Sequence, residues 1–216
     1  MNGHLSALGF DLTTTPLERL KHGIRTFQRE RYPARADLYK TMSVTQQRPH
    51  TLMITCADSR IDIEDLTQSL PGELFIMRNV GNLVPDYGDM IGGVSAVIEY
   101  AVVALKVAHI VVCGHSDCGA MKGLSDPHKL EALPVVSSWL RHAHAAPAGV
   151  QTAQTLATLT EDNVLLQLDH LRTHPSVAGA LASGVLTTSG WVYDIGSGAV
   201  RIAEHDERAF REVGSM

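Results

Sequence analysis

Residues 98–124 of the chain read IEYAVVALKVAHIVVCGHSDCGAMKGL. The apolar run Ile110-Val111-Val112 predicts a buried strand near 108–113, lying between a helix expected over 91–105 and another over 117–124. A short buried strand between helices is the unit of a parallel sheet with right-handed crossovers. His115 and Cys118 follow the strand directly, at the mouth where α/β folds place their sites.

The same pattern recurs on either side. Thr51-Leu52-Met53-Ile54 predicts a strand near 51–55, and TCADSR (55–60) follows with Cys56, Asp58 and Arg60. A further strand is expected near 73–78 and a helix near 62–69. Residues 79–90, with Gly81, Pro85, Asp86 and Gly88, read as a loop. Residues 151–174 read as a helix ending at His174-Pro175. Residues 191–195 read as a strand, and Gly196-Ser197-Gly198 as a turn into another short strand. That GSG lacks the strand-to-helix context of a phosphate loop. Towards the N-terminus, Thr15-Pro16 is a helix start with a hydroxyl cap and Pro at the first position. Leu17, Leu20, Ile24 and Phe27 then recur at helical spacing, and a second helix is expected from 34 to about 46. The expected fold class is α/β: one domain over 1–216, with a helical arm over 1–48 and a core over 49–216.

The chain has 216 residues with 44 % apolar content but only 5 % aromatic, so aliphatic packing must build the core. Eighteen basic residues against 23 acidic ones give a net charge of −5, which offers no support for nucleic-acid binding. The basic cluster Arg25, Arg29, Arg31 and Arg35 reads as the solvated face of a helix. Glu99, Lys106 and His109 interrupt the longest apolar stretches, so no membrane span is expected. Three cysteines do not form a disulfide scaffold, and thiolate ligands suit a reducing compartment. No basic segment leads into a long apolar one at the start, and a cytoplasmic location is expected.

Cys56, His115 and Cys118 are three soft donors, one short of a closed tetrahedral zinc site. With the fourth position open, such a set binds and acidifies water. Two thiolates cancel the charge of Zn²⁺, so the ion should be a weaker Lewis acid than one held by neutral histidines. Donors to the sulfurs and a dry cavity must compensate, and N–H groups at the start of the helix after Cys118 are natural candidates. Cys113 reads as a small buried thiol. Asp117 reads as a turn or helix-start residue that could tune the local field.

Cys56-x-Asp58-x-Arg60 followed by His115-x-x-Cys118 resembles the β-class carbonic anhydrases. The likeness extends to GELFIMRNVGN (72–82), the 98–124 stretch and SGWVYDIGSGAV (189–200). It implies four parallel strands plus an antiparallel edge strand, N-terminal helices that embrace a partner subunit, and a homodimer or a dimer of dimers. It also implies one zinc ion per subunit and reversible hydration of carbon dioxide to bicarbonate. Asp58 would orient the attacking water while Arg60 holds Asp58; in a closed state Asp58 would itself bind zinc. Gln47, Phe75, Val80, Tyr100 and the Gly119 N–H match the family's substrate-side positions. Some members carry a bicarbonate pocket with tryptophan three residues before the first zinc cysteine. Met53 stands there in this chain, which implies the open-site subtype, and Arg78 alone cannot build that pocket. Two other functions are compatible with the same residues: hydrolysis of carbon disulfide or carbonyl sulfide, and a non-catalytic zinc module. A histidine could release the proton to solvent, with His109, His128, His142, His144 and His205 as candidates.

Overall fold

The computed structural model describes residues 14–89, 91–143, 155–204 and 207–214. His144 and His205 lie outside them. The chain forms two units, 1–47 and 48–216.

In the first unit, α1 (Pro16–Thr26) begins as expected, with the Thr15 hydroxyl accepting from the Glu18 N–H at 3.2 Å. It continues in wider π-type turns over Phe27–Arg31. The second helix, α2 (Ala36–Val44), is shorter than its periodicity suggested. Phe27, Tyr32 and Tyr39 pack together, with Tyr32 stacked on Tyr39 at 5.3 Å between ring centres.

In the second unit, β1 (Thr51–Cys56), β2 (Leu74–Asn79), β3 (His109–His115) and β4 (Thr187–Tyr193) are parallel, in the order β2-β1-β3-β4. Two antiparallel strands extend the sheet, β5 (Val200–Glu204) and the two-residue β6 (Arg211–Glu212). The four parallel strands agree with expectation, whereas the antiparallel edge has two strands where one was expected.

β1 and β3 are central and buried on both faces, which is why they read as unbroken apolar runs. Leu52, Ile54, Ile110 and Val112 point into one core, with Ile98, Val164, Leu168 and Leu171. Met53, Val111 and Cys113 point into the other, with Ile63, Leu83, Met121 and Leu140. The long helix α7 (Leu156–Thr173) lies close on the first face because two strand positions lack a side chain. A Cβ on Gly114 would meet Val164 at 2.8 Å, and one on Gly190 would meet the same residue at 2.7 Å.

The crossovers are α3 (Ile63–Thr67) between β1 and β2, and α4 (Gly93–Glu99) between β2 and β3. π-type turns over Tyr100–Leu105 prolong α4. After β3 come α5 (Gly119–Ser125), α6 (Pro134–Trp139) and α7, then α8 (Pro175–Ala182). Pro175 does not merely end α7 but opens α8, with its missing N–H falling where a helix start has no acceptor to bond.

Since β2 and β3 flank β1, the chain leaves β1 and β3 in opposite directions. The crevice at the carboxyl ends of these two strands is the topological switch point of the sheet.

Candidate active site

Cys56 is the last residue of β1 and His115 the last of β3, so the switch point brings them together from 59 positions apart in sequence. Cys118 precedes α5 as its cap. The Sγ atoms of Cys56 and Cys118 and a ring nitrogen of His115 all lie within 4.8 Å of one another, and all three residues are buried. The Nδ1 of His115 is 2.8 Å from the Ser116 carbonyl, the geometry of an Nδ1–H donor. That leaves Nε2 with a lone pair, completely buried and without a hydrogen-bond partner. A buried nitrogen pays a desolvation cost unless something fills its lone pair. A thiophilic cation between the two sulfurs would fill it, so the residues fit a zinc ion.

The thiols are tuned by the backbone. Cys118 donates to the Cys56 sulfur and pulls the Cys56 pKa down to about 4 against the opposing effect of burial. The N–H groups of Gly81 and Asp58 assist. The Cys118 thiol is pushed up, because charge on Cys56 already faces it and because it is buried. Without a cation the pair thus shares one proton, which a divalent ion would displace. The N–H groups of Ala120 and Met121, at the start of α5, point to the Cys118 sulfur, in line with the sequence expectation. Gly81 reaches Cys56 from the loop after β2 with φ +82°, where a Cβ would lie 3.0 Å from the Ala120 Cβ. Asn79 shapes this loop, accepting from the Leu83 N–H at 2.7 Å and donating to its carbonyl at 2.8 Å. Burial pushes the Cys113 thiol up to about 12, in keeping with an inert core residue.

Asp58 follows β1 in a tight turn, its Oδ1 accepting from the Arg60 N–H at 3.0 Å. Arg60 returns two side-chain hydrogen bonds, Nε to Oδ1 at 2.9 Å and Nη2 to Oδ2 at 2.7 Å. This fork holds the carboxyl well below the usual carboxylate range, so Asp58 is an acceptor at neutral pH. The remaining guanidinium nitrogen, Nη1, reaches across to the Asp117 Oδ2 at 3.0 Å, and Nη2 also donates to the Asp117 carbonyl at 3.2 Å. The left-handed φ of 60° at Asp117 fits the expected turn or helix-start residue, and its contact with Arg60 joins residues 57 positions apart.

Phe75 and Tyr100 do come together, with ring centres 5.9 Å apart, and Tyr100 and Val80 are both about half exposed. The Val80 carbonyl accepts from the Trp139 indole N–H at 2.8 Å, a contact nothing in the local sequence announces. Gly119 is the first residue of α5, so its N–H has no intrahelical acceptor. Gln47 is exposed at the end of the first unit. Arg78 is occupied with structure, donating to the carbonyls of Cys56 and Ile61 at 3.3 and 2.9 Å. Of the described histidines, His109 bonds Thr187 and Ser189 on the sheet, His128 pairs with Glu131 and His142 with Asp89.

A family model described as carbonic anhydrase matches residues 51–200. A carbonic anhydrase of Pseudomonas aeruginosa is 50 % identical over 194 residues, covering 87 % of this chain and 88 % of that protein. The solved structure of the β-carbonic anhydrase CcaA superposes with a TM-score of 0.84 at 37 % identity, covering 92 % of each chain. One of two tetrameric β-carbonic anhydrases from Sordaria macrospora matches with a TM-score of 0.58 at 26 % identity, covering 100 % of this chain and 98 % of its own.

Proposed function

This chain belongs to the β-carbonic anhydrase family and catalyses the reversible hydration of carbon dioxide to bicarbonate and a proton; we propose that one zinc ion on Cys56, His115 and Cys118 carries that reaction. The observation behind this assignment is the buried, unpartnered His115 Nε2 facing two thiols within 4.8 Å. When bound there, zinc supplies Lewis acidity that makes water ionisable near neutral pH. The chain supplies the rest. Backbone N–H groups draw electron density from both sulfurs and offset the charge cancellation that two thiolates impose. Asp58, kept ionised by Arg60, accepts a hydrogen bond from the attacking water and aims its lone pair at the carbon of the substrate. Phe75, Val80 and Tyr100 form the apolar wall for a small linear gas, while Gln47 and the Gly119 N–H donate to the oxygens of the nascent bicarbonate.

Because Arg60 occupies both oxygens of Asp58, and Met53 takes the place of the regulatory tryptophan, we assign the open-site subtype. The exposed apolar residues support a homodimer, or a dimer of dimers, in which the 1–48 arm packs on the partner subunit. Leu17, Leu20 and Ile24 on the arm and Val103 on the core are each more than half exposed. Thiolate ligands favour a reducing cytoplasm. Among the described residues no helix is long and apolar enough to cross a membrane. Neither sulfur-gas hydrolysis nor a non-catalytic zinc module is favoured by the family match.

The test is zinc content and stopped-flow hydration of carbon dioxide by the wild type and by His115→Ala. One zinc per chain and rapid hydration in the wild type, both lost in the variant, are expected. Full zinc content in His115→Ala would refute the ligand set.

A further inference from the structure

Arg60 uses all three guanidinium nitrogens. Nε and Nη2 hold Asp58 from one side, and Nη1 and Nη2 hold the side chain and carbonyl of Asp117 on the other. Asp58 and Arg60 follow β1, and Asp117 follows β3, so this bridge ties together the two strand ends that carry Cys56 and His115. Arg60 needs such an anchor. Its side chain is 44 % exposed, and a forked pair on one flexible stem can swing as a unit. The second carboxylate brings no uncompensated charge to the site, because Oδ2 faces Arg60 while Oδ1 pairs with Lys122.

We propose that Asp117 is a positioning residue for the hydration reaction: by fixing the plane of the Arg60 guanidinium it keeps Asp58 turned to the attacking water and away from the metal. This rests on the zinc reading above. The backbone allows the side chain to be tested without disturbing the turn. At φ 60° asparagine and glycine are as well suited as aspartate, so Asp117→Asn and Asp117→Gly retain the local conformation. An ion pair this exposed is worth a factor of about five, so its loss should change positioning without unfolding the protein.

Two readouts separate positioning from stability. In the metal-free protein, side-chain NMR of Arg60 should give a slowly exchanging Nε–H and restrained guanidinium rotation in the wild type. Both should be averaged in Asp117→Gly and partly averaged in Asp117→Asn. In the zinc enzyme, kcat/KM for carbon dioxide should fall by about fivefold in Asp117→Gly, yet the same substitution should cost nothing further in an Asp58→Asn background. An unchanged Arg60 signal, or a full additional fall on top of Asp58→Asn, overturns the inference. A wild type that binds no zinc refutes the zinc reading and this inference together. A zinc-loaded, active wild type with an indifferent Asp117→Gly refutes this inference alone.

Discussion

Asp58 Oδ2 stands 3.9 Å from Nε2 of His115. The gap is too long for a hydrogen bond and short enough for both atoms to face one small molecule. Since Arg60 already takes both oxygens of Asp58, the carboxylate can accept from that molecule but is not free to replace it as a ligand.

The asymmetry between the two atoms predicts separate phenotypes. Asp58→Asn keeps the shape but reverses part of the hydrogen bonding, and kcat/KM should drop by about two orders of magnitude with zinc content unchanged. Stopped-flow kinetics together with metal analysis would check this. A parallel loss of zinc would make Asp58 a resident ligand instead.

Arg60→Gln removes the fork while leaving Asp58 in place. The freed carboxylate should turn to the fourth metal position, as in the closed state that the family resemblance implies. Activity should fall by about tenfold or more, and a crystal structure of the zinc-loaded variant should show an Asp58 carboxylate oxygen on the metal in place of solvent. An unaltered coordination shell would count against the restraining role of Arg60.

The two thiols should titrate apart in the metal-free protein. Cys56 is depressed to about 4, so its ionisation favours the fold. That contribution is complete above the ordinary thiol value of about 8.5 and disappears as pH falls through about 4. Cys118 is raised, so the fold favours its protonated form; that contribution is present below the ordinary thiol value and is lost as pH climbs towards the folded one. Ultraviolet thiolate absorbance should therefore report one thiolate from this pair at neutral pH. Cys118→Ala should move the Cys56 transition upward, because the largest cause of its depression is the Cys118 thiol.

Packing of α7 on the sheet gives a prediction about stability alone. Gly190→Ala puts a Cβ within 2.7 Å of Val164 and 3.1 Å of Leu168, both in the core, and should destabilise the protein by about 1–3 kcal/mol in urea unfolding. Gly184→Ala meets no atom within 4 Å but carries φ +71°, so backbone strain should be its main cost, about 1 kcal/mol.

What this sequence determined by itself was whatever depends on near neighbours along the chain. The apolar runs 51–54 and 110–112 mark the two central strands because a strand buried on both faces has no polar side to display. Each strand runs two or three residues further than its apolar run, to Cys56 and His115, because pairing with the neighbouring strand continues to Cys56↔Asn79 and His115↔Tyr193. The Cys56, His115 and Cys118 set was legible because soft donors at strand mouths are chemically distinctive. Tertiary structure alone decided the contacts made between strand ends, loops and helices far apart in sequence. The bond from Arg60 to Asp117, the Gly81 N–H on the Cys56 sulfur and the Trp139 indole on the Val80 carbonyl join segments separated by 57, 25 and 59 positions. Such pairings follow from strand order and loop closure, which place the ends of β2, β1 and β3 side by side, and no local periodicity encodes that adjacency.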